Sequence, residues 1–125
     1  MLAGGARVGG AQANTARLTI DLQTSRTAHP MYFIFLKFSH NKAAASQFMQ
    51  AHNDWLRKGF SDDVFLLSGT LQPKIGGGII AHNTSIDELQ QRVDSDPFVA
   101  QGVVAAEIVE LIPSKVDKRL EFLLT

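Results

Sequence analysis

The segment Met31–Phe38, MYFIFLKF, constrains this chain more than any other. Its aromatic and β-branched residues predict a strand. Both parities are apolar, with Tyr32, Ile34, Leu36 and Phe38 on one side and Phe33 and Phe35 on the other. A strand with one solvated face alternates apolar and polar residues, so this one must be covered on both faces. Any fold built on it needs a layer above and a layer below.

The residues that follow supply one of those layers. Ala43–Lys58 reads as a helix, with Phe48/Met49, His52 and Trp55/Leu56 at i, i+3, i+4 spacing and Gly59 as its stop. Asp62-Asp63 makes a turn, and Val64–Leu67 is a second strand ending at Ser68-Gly69. Pro73 and Gly76–Gly78 mark a loop before a third strand at about Gly78–His82. Ser85-Ile86-Asp87-Glu88 is a capping-box pattern, and Ile86, Leu89 and Val93 form the buried stripe of a second helix. Asp96-Pro97 breaks that helix, Pro97–Gln101 makes one short turn, and Val103–Ile112 is the last strand. The order β-α-β-β-α-β predicts a ferredoxin-like α+β fold with an antiparallel sheet. Two helices cover only one sheet face. A second copy of the sheet is the expected cover for the other, giving a homodimer in the form of a dimeric α+β barrel.

At 125 residues the chain has room for one domain, and its composition divides near residue 30. Residues 1–30 contain four of the ten glycines and none of the ten aromatics, and they carry a charge of +2 against −2 for the rest. So few large apolar side chains cannot offset the entropy of ordering. The expectation is a disordered leader, or a misassigned extension upstream of a natural start at Met31, followed by a domain over 31–125 with a tail from about 114. In that tail Val116, Leu120 and Leu123/Leu124 recur at helical spacing. The pattern fits packing on the same domain or on a partner subunit.

Lys plus Arg and Asp plus Glu both number 12, so nothing favours nucleic acid or an anionic membrane as partner. No apolar run approaches the roughly 20 residues that span a bilayer. The absence of cysteine excludes disulfides, thiolate metal sites and a cysteine nucleophile, and it fits a cytoplasmic location.

Two residues stand out for chemistry. His52 falls in the middle of the apolar stripe of the first helix, whichever pair of flanking residues defines that stripe. An imidazole there is either a satisfied core histidine or a positioned acid/base. Asp96 precedes Pro97, which is the usual arrangement of an N-cap followed by proline at the first helical position. It also stands at the end of the second helix, where it can orient His52. Ser68 can donate to a ligand or simply cap a turn. Gly76–Gly78 lacks the Lys-Ser/Thr of a phosphate loop and reads as a flexible turn whose N–H groups can line a pocket. His40 and His82 are expected to face solvent at strand ends. Glu107 and Glu110 occupy opposite parities of the last strand, so one of them should face the barrel side. Four histidines without H-x-H or H-x-x-x-H spacing predict no metal site.

Residues 31–125 resemble the YCII-related family. The resemblance rests on the MYFIFLKF strand, Ala51-His52 followed by Leu56, Phe65-Leu66-Leu67-Ser68-Gly69, Gly78-Ile79-Ile80, and Asp96-Pro97-Phe98 leading to Ala100-Gln101-Gly102-Val103. It implies a dimeric α+β barrel with a site centred on a histidine and an aspartate, here His52 and Asp96. Ser68, Gly69, Gly78 and Phe98 are then the expected substrate-binding residues. Ser68-Gly69-Thr70 stands where members commonly carry Gly-Pro, so this pocket wall departs from the family pattern.

Two functions follow as expectations. The first is a small enzyme without cofactor or metal, in which His52 and Asp96 move a proton in a lyase- or isomerase-like reaction. The resemblance implies a small hydroxylated aromatic or lactone-like substrate, since a related member is associated with dehydrochlorination of chlorinated hydroxyquinols. The second is a non-catalytic dimeric module that binds a small ligand or a protein, with His52 and Asp96 structural.

Overall fold

The computed structural model describes residues 29–124. Residues 1–28, and with them most of the expected leader, lie outside the described residues. His29–Pro113 forms one compact unit. Its elements are β1 (Met31–Phe38), α1 (Ala45–Ser61), β2 (Phe65–Leu71), β3 (Gly76–Ala81), α2 (Ile86–Asp94), a short α3 (Pro97–Ala100) and β4 (Val104–Leu111). The strands form one antiparallel sheet in the order β2-β3-β1-β4, the ferredoxin-like arrangement expected from the sequence.

β1 lies inside the sheet, paired with β3 on one side and β4 on the other. Tyr32, Ile34 and Leu36 point to the helical side and are buried with Phe65, Ile79, Leu89, Val93, Phe98 and Val104. The opposite face carries Phe33 and Phe35 from β1, paired with Ile80 of β3 and with Val109 and Glu107 of β4. Leu67, Val109 and Leu111 on that face are 51%, 41% and 44% exposed. The doubly apolar strand thus has one covered face and one largely apolar face that the helices of its own unit do not reach.

The elements differ from their predicted limits where local chemistry is overruled by packing. α1 runs through Gly59 to Ser61. Gly59 is there for room, since a Cβ would stand 2.1 Å from the Phe65 ring. β3 begins at Gly76, so the glycine run is strand and not a flexible turn; each of its residues pairs with both β1 and β2. Ile86 is 40% exposed, and Leu89 and Val93 alone carry the buried stripe of α2. The Ser85–Glu88 capping box is present in both directions. Gly102, at φ +73°, turns the chain from α3 into β4, and its missing Cβ leaves space for the His40 ring.

Tyr32 donates from its hydroxyl to the Thr84 carbonyl at 3.1 Å. Burial, and after it the nearby Glu110 carboxylate, raise the phenol above its ordinary value. In the C-terminal segment, Lys118–Leu124 forms 3₁₀ turns broken at Leu120, in place of the regular helix that the apolar spacing implies. Asp117 accepts from the Arg119 backbone N–H at 2.9 Å at its start. Among the described residues, no helix is long and apolar enough to cross a membrane.

Candidate functional site

α1 lies on the helical side of the sheet and packs against α3, which carries the aspartate. His52 Nδ1 and Asp96 Oδ1 are 2.8 Å apart, joining positions separated by 44 residues. Asp96 is completely buried, while the His52 side chain is 12% exposed. The same Oδ1 accepts the Phe98 backbone N–H at 3.0 Å, which makes Asp96 the N-cap of α3 with Pro97 behind it. Capping and orientation, read from the sequence as alternatives, are performed by one oxygen. Oδ2 is buried without a hydrogen-bond partner among the described residues.

The carboxylate fixes which imidazole nitrogen is free. An ionised carboxylate only accepts, so Nδ1 carries the hydrogen and donates to Oδ1. Nε2 of the neutral ring then bears the lone pair. Phe98 holds the ring plane from one side, its centroid 4.1 Å from that of the imidazole and the two rings within 4° of parallel. Trp55, one turn along α1, stacks on the imidazole at 5.8 Å and 24°. Its own Nε1 donates to the Arg92 carbonyl at 2.9 Å, tying α1 to the last turn of α2.

His52 opens onto a cavity of about 190 Å³ between α1 and the sheet, lined also by Leu36, Leu56, Ser68, Gly69, Gly77, Gly78 and Ile79. Four of the expected site residues, His52, Ser68, Gly69 and Gly78, therefore share one space. Asp96 reaches it through the imidazole. Phe98, expected to touch substrate, is not among the lining residues; it is 6% exposed and contacts the imidazole instead.

Ser68 reaches this space because of an irregularity the sequence does not announce. The β2–β3 register shifts between Phe65 and Leu67, so Phe65 pairs with Ala81 while Leu67 pairs with Ile80. Strict alternation from the inward-facing Phe65 would turn Ser68 away from the helices. The bulge at Leu66 restores it to the helical side, opposite Ile79. The bulge thus delivers the hydroxyl to the cavity.

The remaining candidates fall elsewhere. His40 is exposed beside Ser39. His82, expected to face solvent, is mostly buried, at 14% exposure, with Nε2 4.0 Å from Asp63 Oδ1. Glu107 is the carboxylate on the sheet face away from the helices, and Glu110 lies on the helical side beside Tyr32. Among the described residues no three His, Cys, Asp or Glu side chains are grouped to hold a metal.

Two other cavities lack matching chemistry. One of about 500 Å³ lies between the C-terminal half of α1 and α2 and includes Lys58, Asp62 and Arg92. Those charges satisfy one another, and hydrogen bonds from Lys58 and then Arg92 lower the Asp62 carboxyl below its ordinary value. Another, of about 230 Å³, lies on the sheet face away from the helices among Phe33, Phe35, Leu67, Leu71 and Ile80, and contains no titratable group.

Comparison with known proteins agrees with this architecture. No curated protein sequence matches the chain. Among solved structures, 5-chloro-2-hydroxyhydroquinone dehydrochlorinase from Burkholderia phenoliruptrix AC1100, in complex with 2,5-dihydroxybenzoquinone, is similar at 19% identity and a TM-score of 0.55. The likeness covers 71% of this chain and 97% of that one. SnoaB, a cofactor-independent oxygenase from Streptomyces nogalater, is similar at 9% identity and a TM-score of 0.42, covering 74% of this chain and 99% of that one. At 19% identity the likeness to the dehydrochlorinase concerns the fold. The family model of the YCII-related domain matches residues 31–113, from the first strand to the end of the last, and the chain belongs to that family.

Proposed function

We propose that this protein is a small cofactor-independent enzyme in which His52 is the general base of a lyase- or isomerase-like reaction. The observation that carries the reading is the Asp96–His52 pair with only one end of it open to a cavity. Asp96 holds Nδ1–H, which directs the Nε2 lone pair outward. The walls around it are apolar side chains and glycine backbone, with the Ser68 hydroxyl as a polar handle. Such a site suits a small, flat, hydroxylated aromatic or lactone-like molecule. Nε2 takes a proton from an acidic O–H or C–H of the substrate. The released electron pair either expels a leaving group, in elimination, or shifts a double bond while the imidazolium returns the proton to another atom, in isomerisation. The dehydrochlorinase of like fold supports the elimination form by analogy.

In this reading Asp96 and Phe98 are positioning residues, Ser68 and the Gly69 and Gly78 backbone contact substrate, and neither metal nor cofactor takes part. The apolar sheet face supports a homodimer as the working form. The cysteine-free chain suits the cytoplasm, where we place it. A second reading, a dimeric module without catalysis, draws on the capping role of Asp96, which by itself accounts for a buried aspartate at this position.

His52→Ala separates them. Turnover of hydroxylated aromatics and lactones is screened with the wild type, and the variant is tested on any compound converted. Loss of turnover by roughly 10²-fold or more, with the fold retained, is the expected result. Full turnover in a folded His52→Ala variant overturns the mechanism, and wild type that binds such compounds at His52 without converting them favours the binding module.

A further inference from the structure

The three consecutive glycines of β3 have different reasons to be glycine, and one has no reason within the fold. Gly76 is at φ +148°, and a Cβ there would stand 2.0 Å from the Leu36 carbonyl oxygen. The backbone at that position demands glycine. At Gly78 a Cβ would meet Leu71 Cδ2 at 3.2 Å, on the sheet face away from the helices. Gly77 differs from both. Its φ is outside the left-handed region, and the nearest atom to its absent Cβ is the Gly69 carbonyl oxygen at 3.4 Å, ordinary van der Waals contact. Alanine fits there without strain.

Glycine in a strand interior weakens the strand, and it is found where another backbone or a ligand must come close. The one backbone atom near the Cβ position of Gly77, the Gly69 carbonyl oxygen at 3.4 Å, stands at contact distance and does not by itself demand glycine. Its pairing with Leu36 turns its Cβ position to the helical side, and it lines the cavity that His52 faces. We propose that Gly77 is the specificity-determining residue of this site: the missing side chain leaves a flat stretch of backbone on which a planar ligand lies within reach of His52 Nε2. The inference rests on the proposed function, since it takes the His52 cavity to be the ligand site. A methyl group at position 77 would occupy ligand space and little else. The occupant it admits is a single planar ring carrying a hydroxyl, because the other walls, Leu36, Leu56 and Ile79, are apolar and leave His52 and Ser68 as the polar contacts.

The probe is phenol, titrated into full-length wild type, Gly77→Ala and Gly77→Val while the His52 ring resonances are followed by NMR. Wild type is expected to bind with a shift at His52. Gly77→Ala should weaken binding by roughly tenfold or more, since one methyl in a filled apolar site has that effect. Gly77→Val should abolish it. Both variants should keep the wild-type circular dichroism and melting transition. Phenol binding at His52 that Gly77→Ala leaves unaltered overturns this inference and spares the proposed function. Wild type with no phenol-dependent change at His52 also overturns this inference, while the proposed function stands or falls with the turnover of His52→Ala. A Gly77→Ala variant that fails to fold also overturns the inference, because it shows that the fold itself requires this glycine.

Discussion

His52 Nδ1 lies 2.8 Å from Asp96 Oδ1, and that oxygen also caps the helix on which the aspartate sits. The position of the imidazole is therefore set by the start of α3, whose Pro97 and Phe98 fix the carboxylate in turn. Asp96→Asn tests the arrangement with little change of shape. An asparagine whose oxygen takes the Oδ1 place still caps α3 and still accepts from Nδ1–H, while its amide takes the Oδ2 place, which has no hydrogen-bond partner among the described residues. The His52 nitrogen resonances should therefore report the Nδ1–H tautomer both in wild type and in Asp96→Asn. Asp96→Ala removes both bonds and should cost about 2–4 kcal/mol, the sum of a lost N-cap and an unpaired buried partner. An Nε2–H tautomer in wild type would refute the assignment.

Phe98 joins two functions that can be separated. Its ring is buried among the core residues and lies parallel to the imidazole. Phe98→Ala leaves a large void and should cost about 3–5 kcal/mol in urea unfolding. Phe98→Leu keeps most of the apolar volume and should cost less than about 1.5 kcal/mol. It nevertheless removes the aromatic face. The His52 ring protons, shielded by Phe98 in wild type, should move downfield in Phe98→Leu by more than any change elsewhere in α1. Unmoved His52 resonances would show that the stack does not persist in solution.

What the sequence disclosed and what it withheld have a common cause. The doubly apolar β1, the capping box at Ser85 and the Asp96-Pro97 cap are local patterns, and each appears in the structure as read. His52 and Asp96 could be paired from the family resemblance, and the structure brings them within hydrogen-bond distance. The misjudged features depend on contacts between distant segments. Gly59 resembled a helix stop because its partner, Phe65, lies on another element. Gly76–Gly78 resembled a turn because glycine disfavours strands, yet pairing on both sides holds it in the sheet. The bulge at Leu66, which brings Ser68 to the cavity, leaves no trace in the residues themselves.

Tyr32 links stability to alkaline pH. Its hydroxyl bonds the Thr84 carbonyl, and burial raises its ionisation above the ordinary value of 10.0. A folded-state value above the unfolded one means that the folded protein retains the proton longer. The contribution is complete below the unfolded value and is lost as pH rises through the folded one. Tyr32→Phe should cost about 1 kcal/mol at about pH 8. As pH rises above about 10, the difference from wild type should shrink, since wild type alone loses this contribution. Urea midpoints across that range measure it, and a constant gap would show that the phenol ionises alike in both states.

The sheet face away from the helices provides the test of assembly. Phe33 and Ile80 are paired across β1 and β3 at its centre, with Leu67 beside Ile80 on β2 and Val109 opposite Phe33 on β4. A contiguous apolar surface of this kind is costly to leave in water, and an antiparallel sheet can bury it against a second sheet about 10 Å away. Light scattering of wild type at micromolar concentration should give twice the chain mass of 13.6 kDa. Phe33→Glu and Ile80→Glu each place a charge in that face without entering the His52 cavity, which lies on the opposite side of the sheet. Each should give the single-chain mass while far-ultraviolet circular dichroism and the His52–Asp96 resonances stay as in wild type. A monomeric wild type would remove the dimer, and a glutamate at either position that leaves the doubled mass unchanged would move the interface to another surface.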